Sequence, residues 1–161
     1  MEGNKFMDLV SYFKTLAGEH VDLKGFYRYE LDEVLTEVND LQVPCLILEG
    51  YKFGFKDGKS DNVMKIRSGA FILLDSVQDA GDYDAIHQCW EALEEIGDDI
   101  LARVKRDKRN LVSPVRGLDF ETVDGSLLAT ELNNYYGIRF TFDMDCAFNA
   151  DVNNKKWITN S

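Results

Sequence analysis

"YYGIRFTFDMDCAFN", Tyr135 to Asn149, is the stretch whose reading decides the fold. From Tyr136 onward every even position is apolar: Tyr136, Ile138, Phe140, Phe142, Met144, Cys146 and Phe148. Gly137, Arg139, Thr141, Asp143, Asp145 and Ala147 stand between them. Such alternation is the period of a β-strand with one face on a core and one in water. Twelve steps at about 3.3 Å span roughly 40 Å. A compact domain of this chain length is itself only roughly 35–40 Å across, so the strand is expected to cross the molecule or overhang it. Phe148 lies at its far end. Beyond it, the polar tail "NADVNNKKWITNS" (149–161) carries Trp157 and Ile158. Exposed aromatics on an overhanging strand mark assembly interfaces. Part of this strand is therefore expected to lie against another subunit, with Tyr136, Arg139, Phe148 and Trp157 as candidate contacts.

The rest of the chain supplies the layers for this strand to pack on. Phe6, Leu9, Val10, Phe13 and Leu16 recur at helical spacing, so Asn4–Ala17 reads as a helix with Asn4 as cap and Gly18 as stop. Leu31, Val34, Leu35 and Val38 predict a second, short helix, with Phe26, Tyr27 and Tyr29 as a short extended entry. Pro44 leads into "CLILEGYKFGF", broken near Glu49–Gly50, where glycine suggests a bulge. The turn "KDGKSDN" and the run "VMKIRSGAFILLD" complete a long hairpin. The latter has Lys65 and Arg67 on one face and turns apolar on both faces beyond Gly69. Ile86, Cys89, Trp90, Leu93, Ile96, Ile100, Leu101 and Val104 define an amphipathic helix over 82–106, capped by Asp82. "LDFETV" predicts a short strand and Asp124–Gly125 a turn, before the long final strand. The expectation is an α+β domain: a mostly antiparallel sheet with a long hairpin, one amphipathic helix packed across it, and N-terminal helices. A single domain over 1–161 is expected, with a core from 5–148 and the tail from 149–161.

Composition narrows the function classes. The chain has 161 residues, 45% hydrophobic and 29% charged, and a net charge of −11. That sign repels a phosphate backbone, so sequence-specific nucleic-acid binding is not expected, whereas DNA sliding past without adhering is compatible. No apolar run reaches the roughly 18 residues that a membrane-spanning helix needs, and the N-terminus does not read as a signal peptide. Cys45, Cys89 and Cys146 lack CxxC spacing and read as free thiols of a reducing cytoplasm.

No motif names a chemistry. "GFKDGKSDN" suggests a phosphate-binding loop, but the first glycine of that motif would fall on Phe53, and a β-type run follows instead of a helix. It reads as a hairpin turn. Asp84 and His87 share one helix face, yet two ligands do not make a metal site. His20 has no nucleophile signature near it. Asp143 and Asp145 stand with Arg139 on one strand face, an arrangement that solvent-facing alternation also produces. Neither a metal nor a cofactor is therefore expected. The cluster "RVKRDKR", with Arg103, Lys105, Arg106 and Arg109, is the one basic patch. It suits a helix C-terminus and also docking to an acidic surface, including another copy of this chain.

The pieces "DLVSYFKTL", "VPCLILEGYKFGF", "VMKIRSGAFILLDS", "DYDAIHQCWEALEEIGDDIL" and "YYGIRFTFDMDCAF" occur in an order that resembles one family type. These are the small α+β tail-terminator, tail-completion and head–tail joining proteins of tailed bacteriophages and related contractile injection particles. The resemblance covers residues 5–148 and is one of pattern. It implies a non-enzymatic virion protein, assembled in the bacterial host cytoplasm. Copies would form a homo-oligomeric ring, typically a hexamer, at the head-proximal end of a tail tube, touching other tail or neck proteins. Two alternatives stand beside it. One is an acidic adaptor or immunity-type protein covering a basic partner. The other is an enzyme with a carboxylate site at Asp143, Asp145 and Arg139.

Overall fold

A computed structural model of the chain describes residues 5–28, 30–37, 40–58, 62–130 and 134–158. The elements run α1 (Phe6–Glu19), β1 (Gly25–Arg28), α2 (Leu31–Glu37), β2 (Cys45–Leu48), β3 (Lys52–Asp57), β4 (Val63–Ser76), α3 (Tyr83–Asp107), β5 (Leu118–Ala129) and β6 (Tyr135–Ala147), then a short 3-10 turn at Asn154–Lys156. One six-stranded sheet takes the order β1-β2-β4-β6-β5, with β3 also on β4. All pairings are antiparallel except β1 with β2. The expected α+β architecture is the one observed.

The central pair is β4 with β6, in register from Met64↔Ala147 to Ser76↔Tyr135. A further bond from the Phe148 N–H to the Val63 carbonyl (3.0 Å) carries the pairing past the end of β6. The expected alternation holds as far as Met144: Tyr136, Ile138, Phe140, Phe142 and Met144 are all buried, Cys146 is half-buried and Phe148 exposed. Their face, with Phe71 and Leu73 of β4 and Leu46 and Leu48 of β2, packs under α1 and α3. Phe13 of α1 fills the centre, its ring 5.3 Å from Phe71 and 6.0 Å from Phe142. Beneath α3, Gly97 lies against the Phe140 ring, where a Cβ would collide with it, so glycine sets the close approach of helix to sheet. The opposite face carries Cys45, Ile47, Ile72 and Leu74, covered by Val34 of α2. Both faces of β4 are therefore buried from Phe71 to Leu74, as its apolar run requires.

Several boundaries differ from the sequence reading, each for a physical reason. Asn4 lies outside the described residues; Lys5 holds the cap position of α1, and its N–H donates to the Asp8 carboxylate at 3.0 Å. Gly18 does not stop the helix, which runs on through Glu19. The entry through Phe26 and Tyr27 is a true strand, β1, closed onto β2; Tyr29 and Val38 are outside the described residues. The Glu49–Gly50 break is real: Leu48 pairs with Phe71 and Lys52 with Ser68, so three residues of one strand oppose two of β4. Asp124–Gly125 does not turn the chain. β5 continues through it to Ala129, and the irregularity sits earlier. Between Asp119↔Asp143 and Asp124↔Thr141, β5 advances five residues while β6 advances two. The Thr122 hydroxyl holds this excursion by donating to the Asp119 carbonyl (2.6 Å) and accepting the Asp143 N–H (2.8 Å). The phosphate-loop decoy is the β3–β4 connection, a hairpin as expected, with 59–61 outside the described residues.

Candidate assembly surface

The far end of the hairpin is the least covered part of the sheet. β3 is exposed along its whole length. On the face that α1 and α3 cover elsewhere, a row of rings runs out from the core: Phe6 to Tyr51 at 5.2 Å, Tyr51 to Phe53 at 6.5 Å, Phe53 to Phe55 at 6.3 Å, Phe55 to Phe148 at 5.0 Å. Phe53, Phe55 and Phe148 remain 59%, 54% and 42% exposed. The register brings them together, since Phe53 opposes Arg67 and Phe55 opposes Lys65. Two cations sit among the rings. The Lys65 ammonium lies 4.3 Å from the Phe53 centroid, and the Arg67 guanidinium 5.4 Å from Tyr51. Cation–π contacts of this kind contribute about 0.5–2 kcal/mol.

The other candidate contacts divide. Trp157 follows the 3-10 turn and is 68% exposed. Tyr136 is buried in its own chain, edge-on to Trp90 with centroids 5.9 Å apart, and offers a partner no surface. Arg139 is held by Glu49, its Nη2 2.7 Å from the carboxylate. Glu49 is 8% exposed at its side chain and Arg139 44%. Arg139→Met would strand a buried carboxylate, and we expect it to lower stability by about 1–3 kcal/mol. Adding Glu49→Gln should restore most of the loss, which a double-mutant cycle of thermal melts reads directly.

The basic cluster is largely tied up within the chain. Arg103 bridges Glu19 (2.8 Å) and Asp107 (3.2 Å), Arg106 meets Asp107 (3.2 Å), and the Lys105 ammonium lies 5.0 Å from the Phe120 ring. Arg109 is exposed. A cleft of about 550 Å³ opens beside this network, lined by Tyr12, Thr15, Arg103, Asp107 and Pro114. The Tyr12 hydroxyl donates to Asp107 at 2.9 Å. Burial alone would raise the Asp107 carboxyl, but hydrogen bonds from Tyr12 and Arg106 and the charges of Arg103 and Arg106 outweigh it and hold it below its usual value. A depressed folded value adds stability above the unfolded value near about pH 4 and loses it as pH falls through the folded one. Asp107→Asn should therefore flatten the acid limb of a plot of melting temperature against pH, below about pH 4.

Ser68 donates to Asp143 at 2.7 Å, and Arg139 is directed to Glu49, so the strand-face carboxylates and Arg139 do not converge. His20 joins α1 to α3 through Asp99 at 2.9 Å, and His87 stacks on Trp90. Among the described residues no group of three His, Cys, Asp or Glu side chains is placed to hold a metal ion. Among them also, no helix is long and apolar enough to cross a membrane. All three cysteines are free. Burial, with a smaller push from Asp75, raises the Cys45 thiol to about 12 and the Cys89 thiol to about 11, which leaves both protonated at neutral pH. No protein-family model matches this chain, and no curated protein matches it either.

Proposed function

We propose that this chain is a non-enzymatic structural protein of a phage-like particle, assembling as a ring at the head-proximal end of the tail. There it would act as a tail terminator or a neck joint. One observation carries the reading: the overhanging hairpin, whose exposed Phe53, Phe55 and Phe148 form a continuous apolar row that a lone chain would bury. The reading also draws on the element order in which the resemblance was seen: α1, a proline-led strand, a long hairpin, α3 and a closing strand pair. A net charge of −11 suits a lumen through which DNA slides without adhering. Negative-stain imaging of the purified protein at high concentration tests the reading. Annular particles with a central opening are expected; compact particles without an opening would overturn it.

The acidic outer face of α3 favours a second reading, an adaptor covering a basic partner. Its signature is a one-to-one complex with a basic protein that weakens steeply as salt is raised.

A further inference from the structure

Arg67 is the least satisfied charge of the described residues. It is 9% exposed, and its Nε has no hydrogen-bond partner among them. Among the described residues it forms no ion pair, and neither does Lys65 two residues before it. A buried donor left without a hydrogen bond costs about 1–3 kcal/mol, which the ring contact to Tyr51 offsets only in part. A nearly buried cation without a counter-ion, in a row of half-exposed rings, describes a site completed by an incoming carboxylate.

The same chain carries the complementary surface. Glu91, Glu94, Glu95 and Asp98 are exposed on the outer face of α3 and form no ion pair among the described residues. Glu91 and Glu95, and Glu94 and Asp98, are like charges four residues apart, an arrangement that weakens a helix by a few tenths of a kcal/mol per pair. Arg67 and Lys65 of the hairpin thus lack a paired anion, and these four acids of α3 lack a paired cation, among the described residues. The two lie on different parts of the molecule, so pairing them joins copies head to tail. A contact of that kind closes into a ring when its rotation allows.

We propose that the aromatic–cationic strip around Arg67, Lys65, Phe53 and Phe55 docks on the acidic face of α3 of a second copy of this chain. The inference rests on the assembly reading above and specifies its interface. It is specific in its chemistry: rings cover the apolar stems of the glutamates, and Arg67 and Lys65 take their carboxylates.

The test uses the intact protein, mixed from isotopically light and heavy copies and treated with a carbodiimide, which joins lysine to carboxylate only in direct contact. Bonds from Lys65 of one copy to Glu91, Glu94, Glu95 or Asp98 of the other are expected. Lys65→Glu should weaken self-association by about 30-fold or more, as should Glu91→Lys with Glu94→Lys. Joining all three changes in one chain should restore it. Circular dichroism confirms that each variant is folded, which is expected because Lys65 is only half-buried and both glutamates are exposed. Three results would overturn the proposal: Lys65 joined elsewhere, for instance to Asp151 of the tail; an association unchanged by Lys65→Glu; or a reversal that does not rescue. Annular particles seen alongside any of these would leave the ring reading standing, whereas the absence of such particles is the failure of that reading itself.

Discussion

Phe13→Ala is expected to cost about 3–5 kcal/mol, the range for removing a fully buried aromatic and leaving a cavity. Phe13 is 0% exposed and touches the rings of Phe71, Phe142 and Tyr12, so it ties α1 to the central strands β4 and β6. The site collapses poorly. Phe71 is itself stacked on Phe140 at 4.8 Å and cannot tilt into the space without breaking that contact. Against a total stability of about 5–15 kcal/mol, the loss is a large share. Each kcal/mol shifts the melting temperature of a domain this size by about 2–4 °C, so a drop of roughly 10 °C is expected. Calorimetry reads it. A drop of only a degree or two would mean that α1 contributes little to the core.

Gly117→Ala is the second large effect, and its cause is the opposite one. A Cβ at Gly117 would overlap the carbonyl oxygen of Asp145. The obstacle is backbone, in a strand already fixed by the bond from the Asp145 N–H to the Gly117 carbonyl (2.8 Å). Neither side can give way without displacing Val115 and Leu118, which are 0% and 2% exposed. Overpacking costs about 1–3 kcal/mol and occasionally more; with backbone in the way, we expect about 3 kcal/mol. Gly18 supplies the contrast. It lies within α1, and a Cβ there would meet nothing within 4 Å, so Gly18→Ala should stabilise the protein by about 0.4–1 kcal/mol. The pair of urea titrations separates steric from entropic roles of glycine. Equal effects of the same sign would contradict the packing described here.

The features that sequence reveals are those set by local period. The alternation from Tyr136 to Met144 and the helical spacing from Ile86 to Val104 each follow from one element burying one face, and both elements form where expected. The break at Glu49–Gly50 is also legible, because glycine at the end of an apolar run is a local signal. What escapes depends on residues far apart in the chain. Asp124–Gly125 has the chemistry of a turn, but pairing with β6 extends the strand through it and moves the irregularity to 120–123. Within the cluster at 103–109, Asp107 pairs locally with Arg103 and Arg106, but the second tie of Arg103, to Glu19, lies 84 residues away and leaves no local signal. Tyr136 reads as available because its cover, Trp90, comes from another element. In sequence, Arg67 shares a polar face with Lys65. Only the hairpin register, which sets it opposite Phe53 and beside Tyr51, makes it a buried cation in an aromatic row.

If the chain completes its surface by binding copies of itself, as we propose, its mass must depend on its concentration. Light-scattering mass of the purified protein across a concentration series tests this most directly. A closed oligomer of several subunits, growing in as concentration rises and lost on Lys65→Glu, is the predicted result. A monomer's mass at every concentration would contradict it.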